Sequence, residues 1–383
     1  MTGKDTPDHY GPAEALAGGI LSIDHAALAA NWRLFAERAG AAECSAVVKG
    51  DGYGTGLEEA VATFLDAGCR TFFVALPNEG LRARMVAPEA TIYVLDGLFP
   101  GTGETFAAAN LRPVLGSIGE IEEWSAFCAA RGERLPAAIH VDTGMSRLGL
   151  RIAEAEAVAQ RPELLAAFEL SLMMSHLACA DTADHPLNKQ QLERFGAVRT
   201  LFPGVPASLA NSAGILLGSA YCFDLVRPGV GLYGGNPLGD AENPMRPVVT
   251  LEARVAQLRN VMAGETVGYG ASETMNRDGR VAIVAVGYAD GFHRSAGSSD
   301  IKPGGRGIVS GQSVPIIGRV SMDLIALDVT DIEHGTVERG SLVELIGPTV
   351  SVDEVAGHAG TIGYEILTGL GRRYTRRHLR KKA

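Results

Sequence analysis

The chain has 383 residues, longer than one average domain, so two domains are the first expectation. Apolar residues make up 46% and charged residues 20%, which describes a globular chain with a sizeable core. A net charge of −10 argues against nucleic acid as a partner, and no apolar run approaches the length needed to cross a bilayer.

The five cysteines (Cys44, Cys69, Cys128, Cys179, Cys222) are scattered and contain no CxxC pair. They read as free thiols in a reducing cytoplasm and not as a disulfide framework or a metal site. Residues 1–19 are polar and glycine-dotted, with no apolar core of a secretory signal, and read as a flexible N-terminal segment. A cytoplasmic protein is expected.

From residue 20 to 240, short apolar strands alternate with helical stretches. The strands are Ile20–Ile23, Ala46–Val48, Phe72–Ala75, Ile92–Leu95, Pro113–Leu115, Ala138–Val141, Leu170–Met174, Ser208–Ala210 and Leu225–Val226. Helical spacing lies between them, as in Leu28, Trp32 and Phe35 or Ile121, Trp124 and Cys128. Strands too apolar to be one-sided imply a parallel sheet covered by helices. About eight such units in some 200 residues favour a (β/α)8 TIM-type barrel over an open sheet. After Asn243-Pro244 the pattern changes to β-type runs between glycine turns: Val248–Val255, Val281–Val286, Gly307–Val309, Val314–Ile317, Leu324–Val329 and Leu342–Leu345. Residues 241–383 therefore read as a C-terminal all-β domain. The basic stretch 372–382 reads as a solvated tail.

Chemistry enters at the strand ends, where barrel enzymes build their sites. Lys49 follows Ala46–Val48 and opens the glycine-rich run Gly50-Asp51-Gly52-Tyr53-Gly54. An amine at a buried strand end can be desolvated and made nucleophilic, and glycine amides can approach an anion closely. A phosphorylated aldehyde cofactor needs that pairing. Asp142 to Arg147, His176, Asn211 with Ser212, and Arg227 with Gly229 follow four other strands. Each has an ordinary reading: a satisfied core histidine, a surface ion pair, an N-cap. Five strands delivering polar groups to one rim favour a site.

The ordered set of motifs resembles the alanine racemase family. The matching runs are Val47-Val48-Lys49-Gly50-Asp51-Gly52-Tyr53-Gly54, Val141-Asp142-Thr143-Gly144-Met145-Ser146-Arg147-Leu148-Gly149, Ser175-His176-Leu177, Asn211-Ser212-Ala213 and Arg227-Pro228-Gly229-Val230. Val267-Gly268-Tyr269-Gly270-Ala271, Gly287-Tyr288-Ala289-Asp290-Gly291, Gly318-Arg319-Val320-Ser321-Met322-Asp323 and Gly363-Tyr364-Glu365 follow in the second domain.

The resemblance implies pyridoxal 5'-phosphate as cofactor, alanine as substrate and peptidoglycan supply as the role. It also implies a homodimer whose active site is shared between subunits. Lys49 would carry the cofactor covalently and act as base on one face of the substrate α-carbon. Tyr269, from the partner subunit, would act on the other face, helped by His176 and Arg227. Tyr53, His176, Asn211, Ser212, Arg227, Gly229, Val230 and Tyr364 would hold the cofactor, and Arg147, Met322 and Tyr288 would meet the substrate. An arginine at the cofactor's ring nitrogen cannot accept a proton, so the electron sink is weaker than one facing a carboxylate.

Two departures stand out. His140 occupies the place of a lysine that many members carbamylate to prop the arginine, so another anion, water or His140 itself is expected to orient Arg147. Gly363 replaces an asparagine. The alternatives are a racemase of another or broader amino-acid range and a decarboxylase of the same architecture. The acidic ring-nitrogen partner and late cysteine of the decarboxylases are missing here.

Overall fold

The computed structural model describes residues 11–239 and 241–380. It divides into two compact units, one of residues 28–232 with 236–245, the other of residues up to 27, 233–235 and from 246 onward. Strand β1 (Gly19–Asp24) precedes nine short strands: β2 (Glu43–Cys44), β3 (Ala46–Val47), β4 (Thr71–Val74), β5 (Thr91–Val94), β6 (Arg112–Leu115), β7 (Pro136–His140), β8 (Glu169–Met174), β9 (Ala207–Ser208) and β10 (Leu225–Val226).

Strands β3 to β9 pair in sequence order, all parallel, and β10 pairs in parallel with β2. Backbone bonds carry the ring round. Asp224 N and Arg227 N donate to Ala207 O and Ala210 O, while Ser45 N and Val47 N donate to Val226 O and Pro228 O. The segment 43–47 is thus one interrupted staff, and eight parallel staffs close on themselves. Closure leaves no free edge to template aggregation. Helices cover the outside with the expected stripe. In Leu57–Ala67 the buried positions are Leu57, Ala60, Val61 and Phe64, spaced i, i+3, i+4, i+7. Ser117 caps the helix Ile118–Arg131 by accepting from Glu120 N.

The strand 20–23, expected in the barrel, lies elsewhere. β1 pairs antiparallel with β11 (Val249–Val261) in the second unit. That unit continues with β12 (Thr266–Val267), β13 (Glu273–Thr274), β14 (Gly279–Val284), β15 (Arg306–Val309), β16 (Gln312–Pro315), β17 (Ile325–Asp328), β18 (Leu342–Ile346) and β19 (Thr375–Leu379). Its main sheet runs β16-β15-β18-β11-β1-β19, with β14 joining β11 to β17. The unit is strand-rich and also carries two helices, Val352–Ala359 and Gly363–Gly369, which the β-type runs did not indicate.

Among the described residues the basic segment is not a solvated tail; residues 381 and 382 lie outside them. Its residues 375–379 form β19, paired in parallel with β1, and Tyr374 is buried ahead of it. Arg377 pairs with Glu14, and Arg373 with Asp290 and Asp323. Of the expected flexible segment 1–19, residues 1–10 lie outside the described residues. The remainder is tied down, with Thr375 Oγ1 donating to Pro12 O at 2.6 Å. Among the described residues no helix is long and apolar enough to cross a membrane.

Candidate active site

Lys49 stands where β3 ends. The backbone then turns through a left-handed stretch, with φ of 62°, 55° and 61° at Gly50, Asp51 and Gly52 and 51° at Tyr53. Only glycine adopts that region freely, so the glycines of this run are there for the turn. The turn closes with Gly52 N donating to Val48 O and Gly54 N to Gly50 O, both at 2.9 Å. Burial draws the Lys49 ammonium below its usual range, and Arg147 adds to this, against the opposing carboxylates of Asp96 and Glu79. An amine less eager for a proton is a better nucleophile at neutral pH.

Tyr53 is buried at the far end of the same turn. Its hydroxyl fills the space where a side chain at Gly229 would begin, for a Cβ there would lie 2.4 Å from it. Ser212, also buried, accepts from Gly229 N at 2.8 Å and Gly231 N at 3.5 Å. Its own hydroxyl proton has no acceptor among the described residues. Asn211, not Ser212, is the N-cap of the following helix, accepting from Gly214 N at 2.9 Å. Val230 is buried directly after Gly229.

Arg227 is buried at the end of β10. It donates to Ser208 Oγ and Ser175 O, each at 2.5 Å, and at 3.4 Å to Leu209 O and His176 Nδ1. All these partners are neutral, and burial lowers its pKa to about 9, so the guanidinium is still charged at pH 7. Because arginine only donates, His176 Nδ1 is an acceptor and Nε2 carries the ring proton. Burial first, then Arg227 and Arg147, hold His176 well below the ordinary imidazole value. It is neutral.

The loop after β7 carries Arg147. Asp142 accepts from Gly144 N, Met145 N and Ser146 N at 2.9–3.1 Å. Burial pushes its carboxyl up, but those three amides outweigh it and hold the group below the usual range. Leu150 N returns to His140 O at 2.9 Å, so the loop folds back on the strand it left. Arg147 is exposed and makes no hydrogen bond or ion pair among the described residues. His140 therefore does not orient Arg147 by contact. It lies beneath Gly149, where a Cβ would come 3.1 Å from its ring. Burial, Arg227 and Arg147 lower its pKa to about 4. Asp142 holds the backbone of the loop that carries Arg147.

Sequence reasoning missed two supports of this rim. Glu79 was hidden as an ordinary acidic residue in the first turn of helix Pro77–Val86. Gln191 lies wholly buried in the helix Pro186–Arg199 and donates to His176 O and Thr143 Oγ1 while accepting from Ala178 N. Its distance in sequence from the motifs left no signal.

The remaining four candidates stand on the second unit. Tyr269 opens a short turn between Gly268 and Gly270, both at positive φ, and is 69% exposed. Tyr288 N donates to Ser321 O and Ala289 N to Met322 O, which joins the Tyr288 and Met322 backbones. Tyr288, Met322 and Tyr364 are each exposed as well. Gly363 is explained by packing, since a Cβ there would lie 2.4 Å from Asp353 Oδ1.

The barrel rim thus combines a nucleophilic amine, a neutral histidine, a buried cation without a carboxylate and an unclaimed hydroxyl. It can hold an anionic carbonyl compound and move a proton.

Comparison with known proteins agrees. Residues 23–237 match the alanine racemase N-terminal domain family and residues 248–378 the alanine racemase C-terminal domain family. The alanine racemase of Methylobacterium nodulans is 51% identical over 362 residues, covering 94% of this chain and 96% of that protein. The biosynthetic alanine racemase of Agrobacterium fabrum is 48% identical, covering 97% of each. The structure of alanine racemase from Bartonella henselae with covalently bound pyridoxal phosphate superposes with a TM-score of 0.89 at 40% identity, covering 95% of this chain and all of that one.

Proposed function

The chain belongs to the alanine racemase family, and from that premise we propose how its own residues divide the work of the reaction. It interconverts L- and D-alanine with pyridoxal 5'-phosphate as cofactor. The rim fits that group. Lys49 offers the amine, and Ser212 a buried hydroxyl without an acceptor. Arg227 offers a buried donor that cannot accept a proton. Tyr53, Asn211, Gly229, Val230 and Tyr364 complete the set we assign to it. Bound there, the cofactor supplies an electron sink for the pair left on the α-carbon when its proton departs.

Lys49 takes or returns that proton at Nζ on one face. Tyr269 of the partner subunit does so at its phenolic oxygen on the other, because inversion needs delivery from the side opposite to removal. A tyrosine of ordinary pKa, about 10, is a poor base. Neutral His176, its Nδ1 held by Arg227, presents Nε2–H as the group we assign to support that oxygen. Arg147, with the backbone of Met322, receives the substrate carboxylate, and Tyr288 lines the substrate entrance. The observation that carries this reading is Arg227: a buried guanidinium bonded only to neutral partners, which at the ring nitrogen would be a donor unable to keep that nitrogen protonated. Such a partner would limit side reactions that need a stronger sink.

The homodimer belongs to the same proposal. Tyr269, Met322 and Tyr364 are large side chains left in solvent on one unit, as an interface leaves them. We assign the product to peptidoglycan precursor supply.

The test is α-proton exchange from L- and D-alanine in deuterated water, wild type against Tyr269→Phe. Loss of exchange mainly from one enantiomer is expected. Equal loss from both would contradict the division of labour between Lys49 and Tyr269.

A further inference from the structure

Glu79 is buried three residues into its helix, and its carboxylate is shared between two strand ends. Oε1 accepts from Gly50 N at 2.7 Å and Asp51 N at 3.4 Å. Oε2 accepts from Ala75 N at 2.9 Å and Leu76 N at 3.2 Å. The first pair lies in the turn that begins at Lys49, the second at the exit from β4. Four donors fill the lone-pair sites of one carboxylate. The turn needs such support from outside, because Asp51 and Tyr53 hold left-handed backbone that residues with a Cβ disfavour. Arg82 adds a lesser brace, bonding Asp51 at 2.7 Å from a position near solvent.

The same device recurs once more in the barrel. Glu120, three residues into the helix Ile118–Arg131, accepts from Leu98 N and Gly116 N, each at 3.0 Å. It ties the ends of β5 and β6, and no candidate site residue stands on either. The clamp is therefore general, and Glu79 differs only in what it holds.

We propose that Glu79 is a positioning residue for the racemase reaction: by pinning the amides of residues 50 and 51 it fixes where Lys49 and Tyr53, the two ends of one turn, are presented. This rests on the assignment of Lys49 given above. Replacing Glu79 with glutamine sets an NH2 group against backbone donors, so one strand end loses its acceptor.

Glu79→Gln and Glu120→Gln are compared as cofactor-loaded enzymes. The readouts are amide exchange over residues 48–56, retention of pyridoxal phosphate on dialysis, kcat and KM. For Glu79→Gln, exchange in 48–56 should quicken at least about tenfold and the cofactor should be lost more readily. Its kcat should fall at least about tenfold while KM for alanine stays within about threefold. Glu120→Gln should quicken exchange only around residues 97–117 and leave kcat unchanged. Wild-type exchange in 48–56 of Glu79→Gln, or an equal loss of kcat in both variants, overturns the proposal. If Glu79→Gln does not fold, Glu79→Asp is read in its place, since its shorter stem spans only one strand end. Borohydride reduction of the wild type, followed by peptide mass, reports separately whether Lys49 carries the cofactor. A missing Lys49 adduct sinks the assignment of function and leaves the exchange comparison intact.

Discussion

Arg227 and His140 show how the same buried environment acts on two kinds of group. The guanidinium stays charged, so its effect is on what it faces. At the ring nitrogen, where we place Arg227, glutamate could accept and return a proton, which would strengthen the electron sink. Arg227→Glu should therefore slow racemisation and raise the ratio of transamination to racemisation, measured as pyruvate formed per turnover. An unchanged ratio would remove Arg227 as the specificity determinant. His140 behaves differently because it can lose its proton. In the fold its pKa is about 4 against 6.5 for the free side chain. Between those values the unfolded chain binds a proton that the folded chain refuses. The contribution is intact above pH 6.5, declines as pH falls and is lost by pH 4. The gap corresponds to about 3 kcal/mol. His176 shifts in the same direction, so part of the acid sensitivity remains without His140. His140→Asn should lose less stability than wild type between neutral and about pH 4.5 in urea unfolding. Parallel losses would show that His140 is not a source of it.

At the scale of elements, the loop 142–150 is the most informative. Its tip bears Arg147, which makes no hydrogen bond or ion pair among the described residues, while its root is knotted to Asp142. Removing that carboxylate should free the tip without moving Lys49. Asp142→Ala is expected to raise KM for alanine about tenfold with kcat within about threefold, since a loosened binding group costs ground state and transition state alike. Steady-state kinetics in both directions read this directly. A fall in kcat at constant KM would place Asp142 closer to the chemistry.

These elements also show what the sequence could carry. Eight barrel staffs were legible because each is a short apolar run bounded by a turn and separated by helical spacing. Residues 20–23 have the same apolar look, and periodicity holds no record of which sheet a strand joins. β19 was illegible for the opposite reason. Its run Thr375-Arg376-Arg377-His378-Leu379 is basic, yet four of these five side chains are half-buried against their neighbours. Lys49 stands out in the sequence because a lysine between a strand and glycines is unusual. Glu79 was missed because a glutamate in a helix's first turn is common, and only the fold reveals that it reaches two strand ends.

On the scale of the whole molecule, the shared site we propose makes a quantitative demand. A Lys49→Ala subunit can lend Tyr269 but not Lys49, and a Tyr269→Phe subunit the reverse. Each homodimer is inactive. In a mixed dimer one of the two sites receives both intact groups. Co-expression in equal amounts should then restore about a quarter of wild-type activity, half the dimers being mixed and each half competent. Activity no higher than that of the separate variants would mean that Lys49 and Tyr269 serve the same site from one chain.

The pairing of β1 with β11 and β19 has a consequence for synthesis. In chain order the entire barrel is an insertion within the second unit's sheet. Residues 19–24 leave the ribosome more than 200 positions before β11, their first partner, and longer still before β19. Throughout that interval an apolar strand has both edges open, while the barrel behind it can complete its ring. The nascent chain therefore carries an open-edged apolar strand through the synthesis of the whole barrel, and pairing with β19 ends that exposure.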